Sequence, residues 1–224
     1  MASSKIPLRY AMKTYRKEQF WMPPAFLAFF CILTAFFLED GRASSMATAF
    51  LGYMLPLITG ILASSPILSD PALELHFAAP ISAWRLLVAR YVVLLAVILA
   101  TGFIFQGCMA LMGVDLAYLG NFWQRQLVWL VPSLAMLALG CFTALAFKQA
   151  TSGSVFTGGL WIFELTLRGY LLSKPLLRNV VLFMGATFPM GGRMLVENQI
   201  TLTLMGAVLL VLSASLLKRQ ERLI

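Results

Sequence analysis

Glu164 and Arg168 stand inside a long apolar run, Val155 to Leu172, and are the residues best placed to do chemistry. Their i, i+4 spacing puts them on one face of a helix, one turn apart. Glu164 lies about nine residues into the run, roughly 14 Å along a helix axis at 1.5 Å per residue. A carboxylate at that depth in hydrocarbon is costly, and where one is kept it commonly serves a path or a gate. Two readings follow: an ion pair on one helix face, with Arg168 reaching toward the far interface, or a direct role for Glu164 along a path. An intramembrane enzyme using Glu164 as acid or base would need a second reactive group at the same depth, and no obvious one appears.

The remaining chemical inventory is short. His76 is the sole histidine, with no cysteine or acidic cluster at metal-ligand spacing, so no metal site and no Ser/His/Asp or Cys/His set is expected. Cys31, Cys108 and Cys141 are far apart in apolar stretches, which reads as packing rather than a disulfide framework. Gly158-Gly159 and Gly191-Gly192 lack the Lys-Ser/Thr that completes a phosphate-binding loop, and no G-x-x-x-x-G-K-[ST] occurs. The chain is therefore expected to bind no cofactor and to hydrolyse no nucleotide itself.

These residues must be positioned by membrane helices. With 60% hydrophobic and 12% charged residues and a mean hydropathy of +0.85, the chain cannot cover itself with polar surface, because a soluble domain carries about a quarter charged residues. Apolar runs cover 20–38, 46–62, 86–105, 127–147, 155–172 and 201–217. Each is about long enough to cross a hydrocarbon core of roughly 30 Å, and lipid offers the backbone no partner, so helices are required. The expected fold is an all-α integral membrane protein with six transmembrane helices in one domain. A shorter apolar piece, Val180 to Met190, contains Pro189 and precedes Gly191-Gly192. It assigns 173–198 to an extracytoplasmic, re-entrant or interfacial segment before the last span.

Lys and Arg total 17 against 9 acidic residues, a formal net charge of +8, and their distribution across the spans decides what that charge means. With the N-terminus inside, Lys5, Arg9, Lys13, Arg16, Lys17, Arg85, Arg90, Lys148, Lys218, Arg219 and Arg222 are cytoplasmic. Arg42, Arg125, Arg168, Lys174, Arg178 and Arg193 lie opposite. The bias predicts a multi-pass protein of the cytoplasmic membrane with both termini cytoplasmic, and it explains the charge without nucleic acid. Lys5, Arg9, Lys13 and Arg16 recur at helical spacing, with Lys17 beside them, while Leu8, Met12 and Tyr15 fall on another side. Residues 1–19 thus read as an amphipathic helix lying on anionic headgroups, with Pro23-Pro24 bending the chain into the bilayer. The first apolar run is too long for a signal-peptide core and is read as a retained span.

In the second run Gly52, Pro56, Gly60 and Ser64 repeat every four residues, a spacing that permits close helix packing. Pro56 also frees a backbone carbonyl and allows a kink, so Pro56 and Gly60 join Glu164 and Arg168 as candidates for a path or gate. Gly140 and Ala144 in the fourth run read as packing alone.

Between the second and third runs, on the predicted cytoplasmic side, the sequence reads Ser64-Ser65-Pro66-Ile67-Leu68-Ser69-Asp70-Pro71-Ala72-Leu73-Glu74-Leu75-His76-Phe77-Ala78-Ala79-Pro80-Ile81-Ser82-Ala83-Trp84-Arg85-Leu86. Asp70 can cap a short helix, Pro71 suits its first turn, Glu74 favours the early-turn dipole and Pro80 ends it. Leu73 and Phe77 would be left exposed as a peg for a cytoplasmic partner. Leu73, Glu74, Leu75, Ala79, Pro80 and Ile81, with Arg85 and Arg90 entering the next span, resemble the first cytoplasmic loop of ABC transporter type 2 permeases. Pro71-Ala72 stands where that family commonly has Gly-Thr.

The resemblance implies that 70–79 is a coupling helix, that 1–19 is an elbow helix, and that Asp70, Leu73, Glu74, Leu75, His76, Phe77, Ala79 and Pro80 contact a separate ABC ATPase subunit. It further implies a second permease subunit, identical or paralogous, with ATP and magnesium held by the ATPase partner. The alternatives are a permease like the haem exporter of cytochrome c maturation, an intramembrane enzyme, or a membrane assembly factor.

Overall fold

The computed structural model describes residues 17–66, 68, 83–183 and 192–220. Seven helices carry the described fold: α1 Lys17–Phe36, α2 Ala43–Ala63, α3 Ala83–Leu111, α4 Phe122–Phe147, α5 Ala150–Ser173, the single turn α6 Pro175–Arg178, and α7 Arg193–Gln220. No strand occurs among the described residues. Four helices are long and apolar enough to cross a membrane: α2, α3 from Leu87, α4, and α7 to Lys218. The apolar part of α1, Phe20–Phe36, is shorter. α5 falls outside that set because small and polar residues fill its first half and Glu164 and Arg168 its second.

α4 overruns its apolar run because polar residues at its start satisfy the backbone. Asn121 caps α4 by accepting from the Gln124 amide at 2.9 Å, while the Gln124 side chain accepts from the Asn121 amide at 3.0 Å, a reciprocal capping box. α7 begins at Arg193, eight residues ahead of the apolar run and inside the region assigned to a re-entrant segment. Its first turn carries an i, i+4 pair, Arg193 to Glu197 at 2.9 Å. α1 corrects another expectation. Pro23 and Pro24 lie inside one continuous helix rather than at a junction between two, and each lacks the N–H that would reach the carbonyl four residues back.

α2 and α3 run antiparallel, joined at both ends. Phe30 of α1 meets Phe50 of α2 at 5.2 Å between ring centroids, and Phe50 meets Phe105 of α3 at 4.2 Å. Near one end Tyr118, in the α3–α4 connection, donates to the Ser44 carbonyl at 2.6 Å and contacts the Thr48 hydroxyl. Near the other, Tyr91 of α3 donates to the Ala63 carbonyl at 2.8 Å. α2 and α4 are the most buried of the long helices and α7 the least. Outward faces are apolar, with Phe36, Val92, Ile104, Val155, Ile162 and Val208 exposed, as suits a bundle whose solvent is lipid.

The seam of α2, α4 and α5 is built on glycine. A Cβ at Gly140 would stand 2.1 Å from the Gly60 carbonyl oxygen, one at Gly60 2.5 Å from the Thr157 methyl, and one at Gly153 2.8 Å from the Ala144 Cβ. Backbones therefore touch here, which is the close packing that the Gly60 and Gly140 spacings predict. α3 and α4 are joined by a buried amide pair. Gln106 donates to Gln126 at 3.0 Å, Gln126 donates back at 2.9 Å, and the Trp129 indole donates to Gln126 at 3.0 Å.

Because each partner satisfies the other, Gln126→Leu alone is expected to strand Gln106 and Trp129 and cost about 1–3 kcal/mol. Gln106→Leu/Gln126→Leu together should recover much of that loss. Thermal unfolding in detergent checks the cycle, and additive losses would contradict it.

Candidate functional site

Tyr53, Trp161 and Arg168 converge where α2 changes its winding. Over Phe50–Met54 the helix is a π turn, with the Leu55 amide donating to the Phe50 carbonyl five residues back. The cause lies just beyond, at Pro56. Its ring would press on the carbonyl of Gly52, four residues earlier, and it has no N–H to offer. Widening the turn relieves that contact, and such π turns are frequent at functional sites.

α5 supplies the facing groups from one stripe. Gly153, Thr157, Trp161, Glu164 and Arg168 follow at helical spacing, and the first two lie in the glycine seam. The Trp161 indole N–H donates to the Tyr53 carbonyl at 3.2 Å, and Arg168 donates to the Tyr53 hydroxyl at 2.9 Å with its guanidinium 5.9 Å from the ring centroid. Two polar side chains of α5 thus grip the π turn.

Glu164 turns elsewhere. It is 6% exposed, and its carboxylate accepts from the Leu182 amide at 2.9 Å. The ion pair read from its spacing to Arg168 is not formed among the described residues. Each group finds a partner off its own helix, Leu182 for the carboxylate and Tyr53 for the guanidinium, and these draw the two side chains apart.

The segment after α6 is clipped from the other side by Asn198 of α7. Its side-chain amide donates to the Val181 carbonyl at 2.8 Å and the Asn179 carbonyl at 3.0 Å. Val181, Leu182 and Phe183 are buried, with the Phe183 ring 5.3 Å from that of Tyr53. Glu164 and Asn198 so satisfy the backbone of a non-helical stretch packed against apolar helices, where an unpaired amide or carbonyl would be costly.

Of the residues expected to act, Glu164, Arg168 and Pro56 are gathered around this turn. Gly60 belongs to the seam one turn beyond Pro56. Asp70, Leu73, Glu74, Leu75, His76, Phe77, Ala79 and Pro80 lie outside the described residues, as do Lys5, Arg9, Lys13 and Arg16, while Lys17 is the first residue of α1. Tyr53, Trp161 and Asn198 were missed by sequence reasoning. They are uncharged, and the one available signal was the position of Trp161 three residues before Glu164 on the same helix face. No group of three or more His, Cys, Asp or Glu at metal-binding distance occurs among the described residues.

No family model, no curated protein and no solved structure matches this chain.

Proposed function

We propose that the chain is the membrane-spanning permease subunit of an ATP-driven exporter. In this reading six helices cross the cytoplasmic membrane, α1 and α5 included, with both termini cytoplasmic. A pair of such subunits encloses the substrate path, and separate ABC ATPase subunits bind ATP and magnesium and engage Asp70 to Pro80.

One observation carries the reading: the segment resembling an ATPase-coupling loop joins α2 to α3 at the end where α2 is locked to its neighbours. Gly60 lies against Gly140 of α4, and the Ser154 hydroxyl of α5 donates to the Ile61 carbonyl at 3.4 Å. A push on the loop therefore enters three helices as one body rather than bending a single helix, which is what rigid-body alternating access requires. The sequence carries no phosphate-binding loop, and in this reading the ATPase subunit supplies the energy.

The test is to purify the complex from its native membrane with its co-isolating ATPase and to compare Glu74→Ala and Phe77→Ala with the parent. Truncating a hot-spot anchor at a protein interface costs about 2 kcal/mol or more. ATPase stimulation is thus expected to fall by about tenfold or more. Unchanged stimulation with intact assembly, or no co-isolating ATPase, would remove the reading.

A further inference from the structure

We infer that the π turn of α2 is a hinge and that Trp161 and Arg168 of α5 are its releasable latch. The two halves of α2 are held by different means. The half beyond Pro56 is fixed by backbone contact, since Gly60 abuts Gly140 and the Thr157 methyl so closely that not even a methyl group fits. Such an interface cannot slide without separating three helices.

The first half is held through side chains: Ser44 and Thr48 against Tyr118, and Phe50, where the turn begins, against Phe30 and Phe105. Between them lies the stretch where α2 departs from α-helical hydrogen bonding. α3 meets both halves, through Phe105 at Phe50 and through Tyr91 at Ala63, while the backbone approach to α4 lies in the second half at Gly60. A helix anchored so unequally bends where its own ladder is weakest, and kinks concentrate at proline and at π turns.

The latch follows from what spans that weak point. Tyr53 is gripped twice by α5, at its carbonyl by the Trp161 indole and at its hydroxyl by Arg168. Both bonds join the moving residue to the helix in the fixed seam, and neither is backbone to backbone, so each can break without unwinding a helix. α5 also holds Leu182 through Glu164, and the Phe183 ring lies against Tyr53. Release of Tyr53 would therefore change the packing of the segment after α6 at the same time. In the exporter reading, on which this functional use of the hinge rests, a stroke delivered to the α2–α3 loop emerges at Tyr53. The hinge itself rests on the fold alone.

Hydrogen exchange of the full chain in lipid nanodiscs tests the hinge without any ATPase. Trp161→Phe keeps an aromatic ring and removes the donor to the Tyr53 carbonyl. Exchange of amides in 51–57 is expected to rise by about tenfold, while 58–63 in the glycine seam keep their protection. Tyr53→Phe keeps the ring against Phe183 and loses only the Arg168 bond, which is charge-assisted, so the same window should rise by about tenfold or more. Unaltered exchange in 51–57 in both variants would overturn the latch. An equal rise in 58–63 would overturn the hinge, because α2 would then be loosening as one unit. Either outcome leaves the ATPase-coupling result of Glu74→Ala and Phe77→Ala standing or falling by itself.

Discussion

Gly140→Ala is expected to destabilise the bundle by about 3 kcal/mol, an unusually large effect for one methyl group. The added Cβ would stand 2.1 Å from the carbonyl oxygen of Gly60 and 3.0 Å from its carbonyl carbon. Both are backbone atoms, so no rotamer change can make room, and α2 and α4 must move apart. For a chain of this size that loss corresponds to a melting temperature lower by roughly 6–12 °C. Gly159→Ala is the control, because nothing lies within 4 Å of its would-be Cβ on the outward face of α5. There the usual helical preference for alanine should leave stability unchanged or raised by about 0.5–1 kcal/mol. Thermal scans of the two variants in the same detergent decide the matter. Equal melting temperatures would mean that the glycine seam does not bear the packing load assigned to it.

Glu164 gives the second large effect, and its two substitutions should separate. Glu164→Leu removes the acceptor of the Leu182 amide and leaves that N–H buried, at a cost of about 1–3 kcal/mol. Glu164→Gln removes the charge and keeps a carbonyl oxygen in the same place, so stability should stay within about 1 kcal/mol of the parent. Had the carboxylate been paired with Arg168, the glutamine variant would have stranded a cation and lost nearly as much as the leucine variant. Stability by thermal scan therefore tests whether this carboxylate is held as an acceptor or as a charge. In the exporter reading, ATPase stimulation by the stable glutamine variant then tests whether the charge serves the path, since folding and charge have been separated. A glutamine variant as unstable as the leucine one would return Glu164 to an ion pair.

Composition and period alone show that the chain is helical and apolar, and they place the ends of each long helix to within about eight residues. These properties depend on local composition, on period, and on caps such as Asn121 with Gln124. The glycine spacing also marked α2 and α4 as helices with a closely packed face, while which helix each would meet was not legible in it. What Glu164 and Arg168 do was decided only by the tertiary structure. From their spacing they are neighbours on one helix, yet Arg168 bonds to Tyr53 across 115 positions of sequence and Trp161 to the same residue across 108. Glu164 bonds to a backbone amide, which every residue but proline carries, so nothing in the sequence could single out Leu182. Polar groups in an apolar medium take whichever partner the packing brings within about 3 Å, and that proximity is a property of how α2, α5 and the stretch after α6 dock rather than of any one segment.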